Sequence, residues 1–386
     1  MTVLRRRSVA ILVAALLTAL ATAASAGAAG RSIPSSFFGA VWDGKVTKGI
    51  TLDTRDQVFG QMAMAGVESI RTNFDWARAQ TKPGGAFDFR ITDSLVSQAG
   101  AHGLDVLPVV ILAPDWARRD KFTDFSPPRD PNEYAAYLTA LIGRYGPDGS
   151  FWTLHPELTP RPIRDWQVWN EPHLPYQWTI PRKEDYARGY GRLLRVAYRA
   201  VKKADPGANV VLAGLANSSP SYLAHLYQKG HIKGYYDLAA IHPYTRKPSG
   251  VLELIQRFRT VMRKNHDSLK PVWVTELGLP SSKGRVKSKN YLQTTDKGMA
   301  KFLTGSYRAL VKRYLSVQSS TARVYWYDWA SRYKGGNIFN YTGLYTWDGH
   351  SGFTERKALA AYRASAQKYE GCVKTAAGVC EGTTSP

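Results

Sequence analysis

From Phe37 onward the sequence alternates, unit after unit, between a short apolar run and a longer amphipathic segment. This rhythm constrains the fold more than any other feature of the chain. The runs are Phe37–Asp43, Val67–Trp76, Leu104–Leu112, Asp165–Asn170, Asn209–Leu215, Asp237–His242, Val272–Glu276 and Arg323–Tyr327. Leu104–Leu112 reads LDVLPVVIL, the near-continuous apolar pattern of a parallel strand covered on both faces. The intervening segments read as helices. Thr54–Ala65 and Ile91–His102 stop at Gly66 and Gly103. In Asp130–Tyr145, the residues Tyr134, Tyr137, Leu138, Leu141, Ile142 and Tyr145 share one helical face, and Pro131 suits the first turn. Tyr186–Val201, a short stretch from about Ser221, Val251–Lys264, residues 292–314 and Lys357–Tyr369 complete the set.

Parallel strands joined by helices need right-handed crossovers, and eight such units close into a barrel filled by side chains. The expected fold class is therefore α/β, a single (β/α)8 TIM barrel over residues 27–370. An open, doubly wound sheet is the competing architecture. It usually carries a Gly-rich phosphate loop after its first strand, which is missing here.

Residues 1–26 do not belong to the fold. Arg5, Arg6 and Arg7 precede an apolar stretch from Val9 to Ala24, and Ala24-Ser25-Ala26 has the form of a cleavage site. This is the pattern of an export signal peptide, so a secreted, extracellular or cell-wall-associated protein is expected. With 44% hydrophobic and 12% aromatic residues, the chain can fill a core, which excludes disorder throughout. No later stretch is apolar enough for stable membrane insertion. Two cysteines are too few for a disulfide scaffold or a zinc ribbon. Cys372 and Cys380 lie in a tail spanning 371–386. In an oxidising compartment they are expected to close a small loop, and otherwise to remain free thiols.

The net charge of +22 invites a nucleic-acid reading. However, the bases are dispersed among acids and no recognition motif is present, so no nucleic-acid partner is expected. Basic residues are frequent in the loops after the strands: Arg118, Arg119, Arg182, Lys183, Arg246, Lys247, Arg332 and Lys334 are examples. Ser281–Asn290 carries four bases and no acid. Such a field would draw an anionic glycan, or it could simply reflect a chain that is basic everywhere.

Barrels of this kind place their chemistry where the strands end. Glu171 follows the fourth strand, in Trp169-Asn170-Glu171-Pro172, and Glu276 ends the seventh. Either alone could be a structural ion-pair partner. At one mouth, two carboxyls suit glycosidic-bond cleavage, one protonated to assist the leaving oxygen and the other ionised to attack. Aromatic residues near strand ends, Trp42, Trp116 and Trp326, could pack on sugar rings. Trp329 replaces Trp326 if the last strand is displaced in register. His242 and His173 lack metal-ligand spacing, no Gly-x-Ser-x-Gly elbow occurs, and no metal or cofactor is expected.

These residues resemble retaining glycoside hydrolases of clan A, the barrel group that includes families 5 and 39, with Trp-Asn-Glu-Pro pointing to the family 39 branch. The resemblance runs from about residue 37 to residue 370. It implies that Glu171 is the acid/base and Glu276 the nucleophile. It further implies that Asn170 binds the sugar 2-hydroxyl, that Arg71 and Tyr244 hold Glu276 ionised, and that His242 lines the pocket beside Glu171. It thus implies a secreted, monomeric O-glycosyl hydrolase acting on a poly- or oligosaccharide by double displacement. The alternative is a catalytically inactive barrel that binds carbohydrate or cell wall.

Overall fold

The computed structural model describes residues 30–216, 218–316 and 322–383. The expected export signal lies outside them. Eight strands form the barrel: β1 (Phe38–Val41), β2 (Ser69–Asp75), β3 (Asp105–Ile111), β4 (Asp165–Val168), β5 (Asn209–Val211, resumed at Leu215–Ala216), β6 (Ala239–His242), β7 (Val272–Leu277) and β8 (Val324–Trp326). All neighbours are parallel, and β1 lies between β2 and β8. The fifth strand closes the ring in two pieces. Asn209–Val211 pairs with β4 and Leu215–Ala216 with β6. Between the two, Val211 bridges to Leu238, and the Leu212 amide donates to the Leu238 carbonyl at 2.8 Å. The structure is the expected (β/α)8 barrel.

Each strand is followed by a helix: α1 (Leu52–Met64), α2 (Arg90–Ala101), α3 (Pro131–Tyr145), α4 (Tyr186–Ala204), α5 (Ser219–His225), α6 (Pro248–Lys264), α7 (Asp296–Ser316) and α8 (Lys357–Glu370). At the start of α3 the Asp130 carboxylate accepts from the Asn132 amide and Pro131 takes the first turn, where its missing N–H costs nothing. The sequence places the seventh helix from residue 292, but it begins at Asp296. There the Thr295 hydroxyl accepts from the Gly298 amide and caps the first turn, leaving the residues before it as loop.

Strand alternation divides the core into two layers. Val41, Leu107, Val211, Leu238, Ala240, Trp273 and Tyr325 fill the barrel interior. A much larger layer, including Trp42, Ile70, Phe74, Trp166, Trp169 and Trp326, lies between strands and helices. Interior polar groups are paired: the hydroxyls of Ser69 and Tyr325 meet at 2.9 Å.

After β8 the chain forms a small sheet, β9 (Ala330–Ser331), β10 (Tyr345–Trp347) and β11 (Phe353–Glu355), before α8. A hairpin, β12 (Cys372–Lys374) and β13 (Cys380–Thr383), follows α8 and holds the Cys372–Cys380 disulfide. Lys374 ties it to Glu68 at 3.0 Å and Glu370 at 2.8 Å. Glu68 directly precedes β2, so the tail docks at the end of the barrel opposite the strand carboxyl termini. Among the described residues no helix is long and apolar enough to cross a membrane.

Candidate active site

The mouth is organised around one buried cation. Arg71, on β2 and 2% exposed, directs its guanidinium to three acceptors at once. Nη1 donates to Glu276 Oε1 at 2.9 Å, Nη2 to Asn170 Oδ1 at 2.7 Å and Nε to Gln167 Oε1 at 2.8 Å. Gln167 is itself held by donating to the Leu212 carbonyl at 3.3 Å. A planar fork with this many fixed acceptors has one orientation, so Arg71 sets the positions of both Asn170 and Glu276.

The acidic residues reach the mouth through departures from regular strand geometry. Past β4 the backbone enters the left-handed region at Trp169 (φ 65°) and again at Glu171 (φ 43°), conformations that cost a bulky side chain energy. The first turn sends the Trp169 indole outward against Trp178. Asn170 and Glu171 are then left facing the mouth. On β7 the register against β8 slips between Val274 and Leu277, inserting one extra residue. An unbroken strand would aim Thr275 and Glu276 to opposite faces, whereas this bulge brings both to the mouth.

His242 continues the inward row of β6 after Ala240 and is fully buried. Its Nδ1 lies 2.7 Å from Glu171 Oε1 and 3.5 Å from Glu276 Oε2, and its Nε2 lies 3.0 Å from Thr275 Oγ1. The ring fits because position 214, in the break of the fifth strand, is glycine. A Cβ at Gly214 would lie 1.9 Å from His242 Nε2. Tyr244 donates its hydroxyl to Glu276 Oε2 at 2.6 Å.

Burial raises both carboxyls, but their partners separate them. Burial pushes Glu171 up to about 7, with only the charge of Arg71 opposing it. Glu276 is also raised by burial and by Glu171, but the Arg71 charge and the Tyr244 hydroxyl favour its ionised form. The proton shared by the site therefore belongs on Glu171. Burial, helped by Arg71, lowers His242 to about 4, which leaves the ring neutral at neutral pH. Glu171, His242 and Glu276 each place one oxygen or nitrogen within 4.8 Å of the others, a grouping that could also hold a cation. Arg71 already pairs with Glu276, and its charge weighs against a second cation there.

A cavity of about 540 Å³ opens beside this cluster, lined by Asp43, Tyr327, Asp328, Arg332, Phe339 and Trp347 among others. Asp328, raised to about 7 by burial, accepts from the hydroxyls of Ser331 at 2.6 Å and Thr342 at 3.1 Å. Asp43 is likewise raised by burial. The Tyr327 ring centroid lies 6.4 Å from that of Tyr244, which joins the cavity to Glu276.

The structure gathers Glu171, Glu276, Asn170, Arg71, His242 and Tyr244 into one hydrogen-bonded group, but it corrects the aromatic assignments. Trp326 is fully buried on the outer side of β8, tilted against Phe302 of α7, with its indole N–H donating to the Thr342 carbonyl. Its neighbour Tyr327 takes the inward place. Trp329 is also buried, against Tyr345. Trp42 points outward from β1 onto Phe59, because Val41 holds the interior position. These rings belong to the packing between strands and helices. Trp116 is half-buried, edge-on to Trp76 with its N–H donating to the Gln80 carbonyl at 3.0 Å. The sequence reading missed Gln167, Thr275, Asp43 and Tyr327.

Residues 160–345 match the family model of the glycosyl hydrolase catalytic core. No curated protein matches the sequence. Among solved structures the fold is similar to a family 39 glycoside hydrolase from the gut symbiont Bacteroides cellulosilyticus WH2 (TM-score 0.63, 20% identity), over 87% of this chain and 64% of that one. The chain thus spans less than two thirds of that protein. It is also similar to a monomeric β-xylosidase from Caulobacter crescentus CB15 (TM-score 0.60, 17% identity, 87% and 68% of the two chains). A third likeness is to a family 5, subfamily 18 protein from Streptomyces cattleya in complex with Manb1-4GlcNAc (TM-score 0.62, 17% identity, 87% and 81%). The core model and these barrels agree with the clan A resemblance read from Asn170-Glu171 and Glu276.

Proposed function

We propose that this chain, a glycosyl hydrolase core in a clan A-like barrel, is a retaining O-glycosidase with Glu171 as acid/base and Glu276 as nucleophile. The observation that carries the reading is the carboxylate pair: a Glu171 oxygen and a Glu276 oxygen lie within 4.8 Å. Double displacement uses a separation of ~5–5.5 Å, whereas inversion needs ~6.5–9.5 Å to admit a water. In the first step the protonated Glu171 gives its proton to the leaving oxygen as Glu276 attacks the anomeric carbon. In the second, Glu171 takes a proton from water, which displaces Glu276. Neutral His242 holds the Glu171 carboxyl in either protonation state, because its ring can donate or accept at Nδ1 and Thr275 can answer at Nε2. Asn170, fixed by Arg71, retains its amide N–H for the sugar 2-hydroxyl.

The cavity beside Tyr327 suits a pyranose. The Phe339 and Trp347 rings offer faces for sugar C–H groups, while Asp43 offers an acceptor for hydroxyls. The signal-like residues 1–26 and the Cys372–Cys380 disulfide support an exported enzyme.

The roles are tested by chemical rescue. On an activated aryl glycoside, azide should restore Glu171→Ala and give a glycosyl azide of retained configuration, since the leaving group needs no acid and azide needs no base. It should restore Glu276→Ala with inversion, by replacing the nucleophile. The reverse pattern exchanges the roles. Full activity in both variants removes the assignment, whereas no hydrolysis by the unaltered protein leaves the binding-barrel alternative.

A further inference from the structure

A second cavity, of about 520 Å³, lies on the outer wall between α6 and α7. It starts close to the catalytic cluster in the chain. Arg246 and Lys247 follow Tyr244 by two and three residues, and Leu279 follows Glu276 by three. Lys301 and Arg308 line it further along α7, and the buried Phe302 ring contributes to its floor. Pro248, at the start of α6, rests on Gly305 of α7, where a Cβ would lie 2.8 Å from the proline ring. The groove is therefore a consequence of how the two helices pack.

Several bases of the other loops are neutralised by acids, and among the described residues those of this groove are not. Arg118 pairs with Asp124, Arg119 with Glu184 and Arg285 with Asp296. Arg246, Lys247, Lys301 and Arg308 all line this cavity with no acid among its residues, and none has a carboxylate at ion-pair distance among the described residues. Four unpaired cations around an apolar floor repel one another until an anion enters.

The spacing argues for a polymer. Lys301 and Arg308 are two helical turns apart on one face of α7, about 10 Å of rise. Arg246 and Lys247 line the same groove from the facing loop, where the adjacent Pro248 meets Gly305, between Lys301 and Arg308 on α7. A single small anion cannot reach all four, whereas a chain with a charge on successive units can. Sugar rings would also use the apolar floor.

We infer that this groove is an exosite for a uronate-bearing glycan, which it guides to the mouth. The inference rests on the glycosidase reading above. The site binds carboxylates through the four cations, without contributing to bond cleavage.

The test uses the full chain with Glu171→Gln and Glu276→Gln, so that no polymer is consumed, with and without Lys301→Glu and Arg308→Glu. Both latter side chains are exposed on α7 without ion-pair partners, so their replacement leaves the core intact. Retardation in gels containing polygalacturonate should be strong in the parent. It should weaken with added salt over a screening length of ~8–10 Å, and roughly tenfold on reversing the two charges. Dextran should retard neither protein. Equal retardation of both proteins by polygalacturonate, or preferential binding of poly(glycerol phosphate), would overturn the inference. Failure of the glycosidase reading registers separately: Lys301→Glu/Arg308→Glu in the otherwise unaltered enzyme should leave hydrolysis of a neutral aryl glycoside unchanged, and absence of that hydrolysis in the enzyme with Glu171, Glu276, Lys301 and Arg308 all intact rejects the reading itself.

Discussion

Replacing Tyr244 by Phe isolates one contact at the nucleophile. The phenol donates at 2.6 Å to Glu276 Oε2, and Tyr244 is only 6% exposed, so water cannot substitute freely for the lost hydroxyl. The Phe ring keeps the packing against Phe339 and Tyr327. A buried hydrogen bond to a charged acceptor contributes about 1.5–3 kcal/mol. The bond favours the ionised carboxylate, so its loss raises the Glu276 pKa further. Burial has already raised that pKa above the ordinary carboxylate range. Glu276 must be ionised to attack, so the acid limb of the pH profile moves upward. The opposite limb belongs to Glu171, which must be protonated and loses its proton near pH 7. It should stay in place, and the bell should narrow and fall. At pH values below the acid limb the loss in kcat/KM is about 10- to 100-fold. The assay is kcat/KM against pH on an aryl glycoside for both proteins. An unmoved acid limb, or movement of the basic limb instead, would show that Tyr244 acts elsewhere and refute the reasoning.

Gly214→Ala introduces a Cβ where His242 Nε2 already lies 1.9 Å away. It should displace the imidazole, cost about 1–3 kcal/mol of stability and depress kcat, read by thermal unfolding and steady-state kinetics. Trp326→Ala and Tyr327→Ala should separate cleanly. The first removes an outward core ring at a cost of about 3–5 kcal/mol, while the second lowers kcat/KM with a smaller change in Tm. If Trp326→Ala abolished activity in protein that remained folded, the inward placement of Tyr327 would be wrong.

The division between what the residues disclose and what they conceal follows from how each feature is encoded. The barrel was legible because its units are local: Leu104–Leu112 carries its own strand pattern and Asp130–Tyr145 its own helical face. The Glu171 and Glu276 pair was legible because both end a strand, and Arg71, His242 and Tyr244 were legible through the family pattern. The phase of β8 was not. Val324, Tyr325, Trp326 and Tyr327 offer apolar or aromatic groups to either face, so hydrophobicity alone cannot decide which ring points inward. Trp42 misleads for the same reason, since Val41 is an equally good interior residue. Thr275 was hidden by the bulge in β7, which breaks the alternation a sequence reading must assume. The sheet of β9, β10 and β11 depends on pairings between distant segments of two or three residues, too short to carry a periodic signal. Asp43 becomes part of a cavity only once β1 and β8 are neighbours.

The central claim is double displacement by a close carboxylate pair. Proton NMR of the first-formed sugar, recorded during hydrolysis of an aryl β-glycoside before mutarotation, tests it most directly. The account predicts that the β-anomer appears first and then equilibrates with the α-anomer. Initial release of the α-anomer would mean single displacement by water, which the gap of at most 4.8 Å between a Glu171 oxygen and a Glu276 oxygen does not accommodate, and would contradict the assignment of Glu276 as nucleophile.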